Sequence, residues 1–195
     1  MDVRKHCPSQ GLGWDNFISQ KHGFTLIELL ITLSVISIVA LTSIPSLSSM
    51  VSQNRMVVAT NTLAGALAYA RSEAVMRGEN VVTCQSNNQS ECHRSKYWHN
   101  GYIIFVDKNR NKQREADEPL LRIISASNNG TEVTFRGSSS IRHYMKYKPT
   151  GQASPNGTFR ICPSNSNSRN ALIMTHSGRL RLSKTLRDGS PVTCN

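Results

Sequence analysis

The chain has 195 residues, a formal net charge of +11 and five cysteines. This length accommodates one long helix and one globular domain of about 100–120 residues. There is no convincing internal repeat and no linker long enough to suggest a second domain. The histidines are scattered and no serine or cysteine lies in a nucleophile motif, so we expect neither an enzyme nor a cofactor.

The longest apolar run extends over residues 24–44. It has 21 residues, contains no Lys or Arg, and has Glu28 as its only charged residue. A helix of that length spans about 30 Å, which is enough to cross the apolar core of a bilayer. A carboxylate inside such a segment is costly, so Glu28 is a candidate functional residue. The basic residues Arg4, Lys5 and Lys21 precede the run, which predicts a cytoplasmic N-terminus and an exported C-terminal part.

The segment before the apolar run differs from an ordinary secretory signal. Residues 1–23 have no apolar core of their own, and Gly23 stands directly before the run. Cleavage after Gly23 would therefore leave the apolar segment on the mature chain. From Gly23 to Leu30 the sequence reads GFTLIELL. This motif resembles the class III leader of type IV pilins and type II secretion pseudopilins, and Pro45 matches the position of that family's helix kink.

The resemblance implies three parts: a leader peptide (1–23), a transmembrane or fibre-core helix (24–50), and a periplasmic domain that includes the second half of the helix (51–195). It implies that prepilin peptidase cleaves after Gly23 and that Phe24 becomes the methylated N-terminus. In a fibre, the Phe24 amine would pair with Glu28 of a neighbouring subunit, which offsets part of the cost of burying the carboxylate. The alternative is that Glu28 reaches the lipid headgroups.

The same resemblance implies the partners and the location. The partners would be prepilin peptidase, other major and minor pilins, and inner-membrane lipid before assembly. The protein would cross the inner membrane once, with its C-terminal domain in the periplasm, and would move to a surface pilus on assembly.

The helix is predicted to continue beyond the apolar run. Six residues recur at three- and four-residue spacing and so share one helical face: Met56, Thr60, Leu63, Leu67, Ala70 and Ala74. Gly78 is a stop signal, so the predicted helix covers about Phe24–Arg77, with this face packed on a sheet.

After Gly78 the pattern changes to short β-rich runs separated by clusters of Gly, Asn, Ser and Pro, as expected for antiparallel hairpins. The predicted strands are Val81–Cys84, Tyr102–Val106, Leu120–Ser125, Thr131–Arg136, Tyr144–Lys148, Thr158–Cys162, Ala171–Thr175 and Arg179–Ser183. The predicted fold class is α+β, with one long helix packed against antiparallel β-sheet, as in type IV pilins.

Three segments narrow the resemblance to one family. Residues 98–109 read WHNGYIIFVDKN, residues 118–122 read EPLLR, and residues 177–181 read SGRLR. Together they resemble the GspH/FimT minor-pilin domain. GspH-like members are minor pseudopilins of type II secretion, whereas FimT-like members belong to type IV pili and some bind DNA in natural transformation.

Four of the five cysteines follow the expected cleavage site, and an even number in an oxidising periplasm suggests two disulfides. Cys84 and Cys92 bracket a polar loop and are predicted to close it. Cys162 and Cys194 are predicted to tie the C-terminal end back to a strand. The alternative is a zinc site formed by Cys92 with His93, His99 and Cys84, but the adjacent Cys92 and His93 lack zinc-site spacing.

The loop after the second predicted strand has acidic or amide residues at positions one, three, five and twelve of an EF-hand-like spacing: Asp107, Asn109, Asn111 and Glu118. However, Lys112 stands at position six, where that loop needs Gly, and the flanks read as strands. The positive charges of Arg110, Lys112 and Arg114 would also repel a cation. We therefore predict an Asn/Asp-rich hairpin turn and no metal.

Positive charge is concentrated towards the C-terminus. Residues 136–195 carry ten Lys or Arg against one acid, Asp188, whereas residues 51–135 carry ten against eight. Such asymmetry favours a polyanion partner. A solvated basic surface, or one that docks to anionic lipid or to an acidic subunit, is the alternative.

The motif Gly178-Arg179-Leu180-Arg181 is the candidate contact with that partner. Gly178 suits a turn that requires a positive φ. On a strand, Leu180 and Leu182 would face the core, while Arg179 and Arg181 would face solvent about 6–7 Å apart. Their guanidinium groups suit phosphate oxygens. The motif resembles the GRxR motif of DNA-binding FimT proteins.

The predicted DNA-binding residues are Gly178, Arg179, Arg181, Lys184 and Arg187. They contact phosphates, so we expect binding without sequence preference. Tyr144 and Tyr147 are candidates for stacking on bases, although packing is the better interpretation.

The expected function is that of a minor type IV pilin that binds DNA for uptake in natural transformation. The alternatives are a GspH-like pseudopilin whose basic face docks to protein, and a structural minor pilin that primes pilus assembly.

Overall fold

The computed structural model describes residues 23–164 and 168–194, without the side chains of residues 41–46 and 139. The predicted leader therefore lies outside the described residues except for Gly23. Helix α1 spans Leu26–Arg77, which confirms the predicted helix to within two residues. The strands that follow are β1 (Val81–Gln85), β2 (Tyr102–Val106), β3 (Leu120–Ile124), β4 (Thr131–Gly137), β5 (Tyr144–Tyr147), β6 (Ala153–Ser154), β7 (Gly157–Pro163), β8 (Asn170–Met174) and β9 (Leu180–Ser183).

All the predicted strands are present, with bounds that shift by no more than one residue at either end. Strand β6 was missed because it has only two residues and precedes a proline. The strands form a five-stranded sheet of order β3-β2-β1-β5-β6 and a four-stranded sheet of order β4-β7-β8-β9. All pairings between these strands are antiparallel, and the predicted α+β class is confirmed.

The chain divides into two compact units, Met1–Thr42 and Ser43–Asn195. In the first unit, Thr25 caps α1, since the main-chain N–H of Glu28 donates to Thr25 Oγ1 at 3.3 Å. The apolar side chains around the start of α1 are exposed, among them Phe24 at 81% and Leu26 at 77%. Over the residues that the structure describes, no helix is long and apolar enough to cross a membrane. The membrane span inferred from the sequence stays a prediction.

In the second unit, α1 buries the predicted stripe. Met56, Thr60, Leu63, Leu67, Ala70 and Ala74 are each at most 5% exposed. They pack with residues of both sheets in one core, at whose centre Trp98 contacts Phe135 and Phe159. The Trp98 indole N–H donates to the carbonyl of Arg142 at 2.9 Å, so the buried polar group of the ring has a partner.

Both predicted disulfides are present. Cys84 is bonded to Cys92 with Cα atoms 5.5 Å apart, and Cys162 to Cys194 with Cα atoms 6.0 Å apart. The first closes the loop after β1, and the second fastens the C-terminal end to β7.

Candidate nucleic-acid interface

The four-stranded sheet has one face in the core and one face directed away from it. Phe135, Phe159, Leu172 and Met174 belong to the core cluster. Because successive residues of a strand point to opposite faces, their neighbours in the chain lie on the other side, which we call the outer face.

The register of the sheet aligns two arginines on this outer face. Arg136 pairs with Thr158, Thr158 with Ile173, and Ile173 with Arg181. The row therefore extends from β4, one edge of the sheet, to β9, the other edge. Three strand spacings separate its ends, a distance of about 14 Å.

The turn between β8 and β9 requires Gly178. Its φ is +78°, and its N–H donates to the carbonyl of Thr175 at 3.0 Å. A Cβ atom at this position would lie 2.2 Å from the carbonyl oxygen of Gly151. The backbone conformation and the close approach of a second turn therefore both exclude a side chain.

Helix α1 holds this turn through Arg71. The Arg71 guanidinium donates from Nη2 to the carbonyl of Ser177 at 3.1 Å. The Nε atom of Arg71 lies close to both Gly151 and Gly178. The helix thus fixes the position from which Arg179 and Arg181 project.

The hairpin arginines are placed as predicted. Arg179 and Arg181 are exposed, and they alternate with Leu180, which packs against the core. No side-chain hydrogen bond or ion pair is seen for Arg136, Arg179 or Arg181 within residues 23–164 and 168–194. Their guanidinium groups are therefore available to a ligand.

Leu182 lies on the predicted side of β9, the same side as Leu180, but it is not buried in the core as predicted. Its side chain is 56% exposed. Because β9 is an edge strand, Leu182 lines an open groove rather than the closed core. Lys184 lines the same groove beside α1 as Leu182 and Met56. It is exposed, as predicted, but it does not lie next to Arg181 on the outer face.

The C-terminal segment crosses the middle of the outer face. Leu186 and Val192 pack on Ala171 and Ile173. Arg187 follows Leu186 and is exposed, so it projects from the segment that covers the space between Arg136 and Arg181. We call Arg136, Arg179, Arg181 and Arg187 the basic face.

Arg160, on the same side of the sheet, is engaged by the C-terminal segment. Its Nη1 donates to the carbonyl of Thr193 at 3.3 Å. A hydrogen bond from the Ser190 hydroxyl lowers the pKa of Asp188, with a smaller contribution from Arg160. The one acid of the basic C-terminal region thus lies near Arg160.

The sequence interpretation missed two basic features. Arg136 was not predicted, because only the register of β4 with three other strands places it on the basic face. The alternation of buried and less buried residues along β4 was the available signal. The second feature is a cavity of about 420 Å³ lined by Arg94, Ser95, Lys96, Tyr97, Ser140, Arg142 and His143. Three of these lining side chains are positively charged, Arg94, Lys96 and Arg142, and none is a carboxylate.

This cavity lies at the edge of β4. Tyr97 forms a bridge with Thr134, and the main-chain N–H of Phe135 donates to the carbonyl of Lys96 at 3.3 Å. Burial, and then the nearby Arg94 guanidinium, lowers the pKa of His143 below its ordinary value. The imidazole is therefore neutral near pH 7, and the positive charge of the cavity comes from Arg94, Lys96 and Arg142.

The tyrosines differ in availability. Burial raises the pKa of Tyr147 to about 12. Its hydroxyl group donates to the sulfur of Met174 at 3.7 Å. Tyr147 therefore packs in the core and cannot stack on bases, whereas Tyr144 is half-buried.

The residues predicted to act in processing and assembly lie in the first unit. Gly23, Phe24 and Glu28 are all exposed. Phe24 precedes the first residue of α1 by two positions, and Glu28 lies in its first turn.

The comparisons with known proteins give a family and a fold. Residues 59–178 match the family model described as type II transport protein GspH, and residues 18–44 match the prokaryotic N-terminal methylation motif. No curated protein is significantly similar to the chain. The family match ends at Gly178, so Arg179 and Arg181 lie just outside it.

Two crystal structures of the type IV minor pilin FimU of Pseudomonas aeruginosa PAO1 resemble the chain. The structure in space group P65 has a TM-score of 0.50 at 22% identity and covers 65% of this chain and 90% of FimU. The structure in space group P21 has a TM-score of 0.53 at 24% identity and covers 67% of this chain and 90% of FimU. At these identities the likeness shows the type IV pilin fold.

Proposed function

The chain belongs to the GspH family of minor pilins and pseudopilins, and from that premise we propose that it is a minor type IV pilin that binds DNA through its basic face. DNA captured at the pilus would then be taken up in natural transformation. The observation that carries the proposal is the cross-strand row that places Arg136 and Arg181 on one face of a sheet, with Arg179 beside Arg181.

The chemistry of the basic face suits the phosphate backbone. Guanidinium groups bind phosphate oxygens through paired hydrogen bonds. The row of about 14 Å corresponds to roughly four phosphates along one strand of a duplex, at about 3.4 Å of axis for each. Contacts to phosphates carry no sequence information, so we expect binding without sequence preference.

The N-terminal end supports membrane anchoring before assembly. The match to the methylation motif covers Gly23, Phe24 and Glu28. Under the proposal, prepilin peptidase cleaves after Gly23 and the Phe24 amine is methylated. The protein then crosses the inner membrane once, with its domain in the periplasm, until Glu28 pairs with the N-terminus of a neighbouring pilin.

A pseudopilin of type II secretion is the second candidate, because the matching family model carries that description. In that case the basic face would dock to an acidic protein, and loss of its arginines would impair secretion rather than DNA uptake.

Transformation frequency in the natural host tests the proposal. The variant Arg179→Ala/Arg181→Ala should lower transformation while pili still assemble, because both residues are exposed. The variant Lys108→Ala/Arg110→Asn removes the same charge from an exposed turn of the other sheet and serves as the matched control. Normal transformation by the hairpin variant, or equal loss in the control, would overturn the proposal.

A further inference from the structure

The loop between β2 and β3 buries two carboxylates. Asp107 is 1% exposed and Glu118 is 2% exposed. Acidic side chains are almost never fully buried unless they are paired. The two oxygens of Glu118 accept the main-chain N–H groups of Lys108 and Glu115 at 2.9 and 3.1 Å. These bonds leave a second lone pair on each oxygen.

Asp107 is incompletely satisfied. Its Oδ1 accepts the main-chain N–H of Lys112 at 3.3 Å. Its Oδ2 is buried and has no hydrogen-bond partner in the described part of the chain. A buried carboxylate oxygen without a donor is costly, so it calls for a ligand that carries positive charge.

The loop carries oxygen-bearing side chains at a regular spacing. The main-chain N–H of Val106 donates to the carbonyl of Pro119 at 3.0 Å, which holds the two ends of the loop together. Between them are twelve residues with oxygen-bearing side chains at positions one, three, five, nine and twelve: Asp107, Asn109, Asn111, Glu115 and Glu118. This is the ligand spacing of a calcium loop, in which position seven contributes its main-chain carbonyl.

The lysine at position six does not prevent the required turn. Glycine is usual there because the backbone turns sharply. In this loop Lys112 itself has φ +63°, and Arg110 has φ +65°. Such conformations strain a non-glycine residue but do not exclude it. The loop therefore keeps the calcium-binding backbone without the glycine on which the sequence interpretation relied.

The neighbouring cations weaken the site but do not fill it. Arg114 is directed away, since its Nη1 donates to the carbonyl of Ser90 at 3.0 Å. Lys146 lies close enough to Asp107, Arg110 and Lys112 to interact with them electrostatically, yet no ion pair to Asp107 is seen in the described residues. Because these positive charges repel a cation, we expect a weak Kd for calcium, about 10⁻⁴–10⁻³ M, as in extracellular calcium-binding modules.

We infer that residues 107–118 form a calcium-binding site, with Asp107 and Glu118 as its carboxylate ligands. The amide oxygens of Asn109 and Asn111 and the main-chain carbonyl of Gln113 would complete it. No group of three or more His, Cys, Asp or Glu suited to a metal occurs in the described chain. The proposed donors are two carboxylates with amide and carbonyl oxygens, which suit calcium better than zinc. The inference does not depend on DNA binding.

Thermal unfolding of the full chain in detergent tests the site, with CaCl₂, MgCl₂ or EDTA added. At a calcium concentration ten times the Kd, the ratio of folded to unfolded protein should rise about elevenfold. For a domain of this size that corresponds to a rise in Tm of roughly 3–6 °C. Magnesium at the same concentration should have a smaller effect, because it requires a more rigid octahedral site.

The variant Asp107→Asn separates a binding role from a structural one. Asparagine keeps an acceptor for the Lys112 N–H and removes the buried charge. In EDTA the variant should therefore be at least as stable as the wild type, and calcium should not raise its Tm. Asp117→Asn changes an exposed acid of the same loop and should respond to calcium as the wild type does.

Three results would overturn the inference. One is a wild-type Tm that calcium does not raise. Another is an equal rise in the wild type and in Asp107→Asn, which would indicate non-specific binding to acidic side chains. The third is a loss of stability in EDTA for Asp107→Asn, which would show that the carboxylate is structural without calcium.

Discussion

At the residue scale, two constraints act on Gly178: its positive φ and the close approach of Gly151. Gly178→Ala introduces a Cβ at φ +78° and 2.2 Å from a main-chain oxygen. We expect the free energy of unfolding to fall by more than about 3 kcal/mol, the sum of backbone strain and displacement of the neighbouring turn. Urea denaturation measures this change.

Gly189 provides the matched control. Its φ is +82°, but a Cβ there would meet no atom within 4 Å. Gly189→Ala should therefore cost only the strain, about 1–2 kcal/mol. Equal costs at the two glycines would show that contact with Gly151 does not constrain the hairpin.

His143 gives the stability of the domain a pH dependence. Its pKa is lowered in the folded chain, chiefly by burial and then by Arg94. As the pH falls through about 6.5, the unfolded chain binds a proton that the folded chain does not, so the free energy of unfolding decreases. His143→Gln should flatten this decrease between about pH 7 and 5, as measured by urea denaturation at each pH. Wild-type and variant curves that stay parallel would contradict the assignment, and His176→Gln, at an exposed position, serves as the control.

At the scale of elements, the β8–β9 hairpin shows what local sequence determines. Alternation alone places Arg179 and Arg181 on the side opposite Leu180, and the structure has them there. It cannot tell that β9 ends the sheet, because that depends on the pairing of β4, β7 and β8. For this reason the orientation of Leu182 was predicted correctly relative to Leu180, but its burial was not.

Two leucines that pair across this hairpin should respond differently to truncation. Leu172 and Leu182 are partners in the register, but they are 3% and 56% exposed. Leu172→Ala should lower the free energy of unfolding by about 2–5 kcal/mol, because it leaves a cavity in the core. Leu182→Ala should cost less than about 1 kcal/mol. Comparable losses in urea denaturation would show that Leu182 is covered in solution.

At the scale of the whole molecule, patterns that repeat within a few residues were predictable. The apolar stripe of α1, the strands and the two disulfides all follow from local spacing or from an even number of cysteines. The basic face did not follow, because Arg136 and Arg181 are 45 positions apart in the sequence and are aligned only by the register of four strands. A metal at residues 107–118 was not expected, because Lys112 replaces the usual glycine, the flanks read as strands and three cations lie in the loop. The sequence could not show that Lys112 nevertheless adopts a positive φ.

The salt dependence of the affinity for duplex DNA tests most directly whether the basic face binds the phosphate backbone. The slope of log K against log salt concentration should flatten by about 1.8 in Arg179→Ala/Arg181→Ala and by about 0.9 in Arg136→Ala, one phosphate for each arginine. Lys108→Ala/Arg110→Asn should leave the slope as in the wild type. Circular dichroism confirms that each variant is folded. Folded hairpin and Arg136 variants with wild-type affinity and slope would contradict phosphate binding by the basic face.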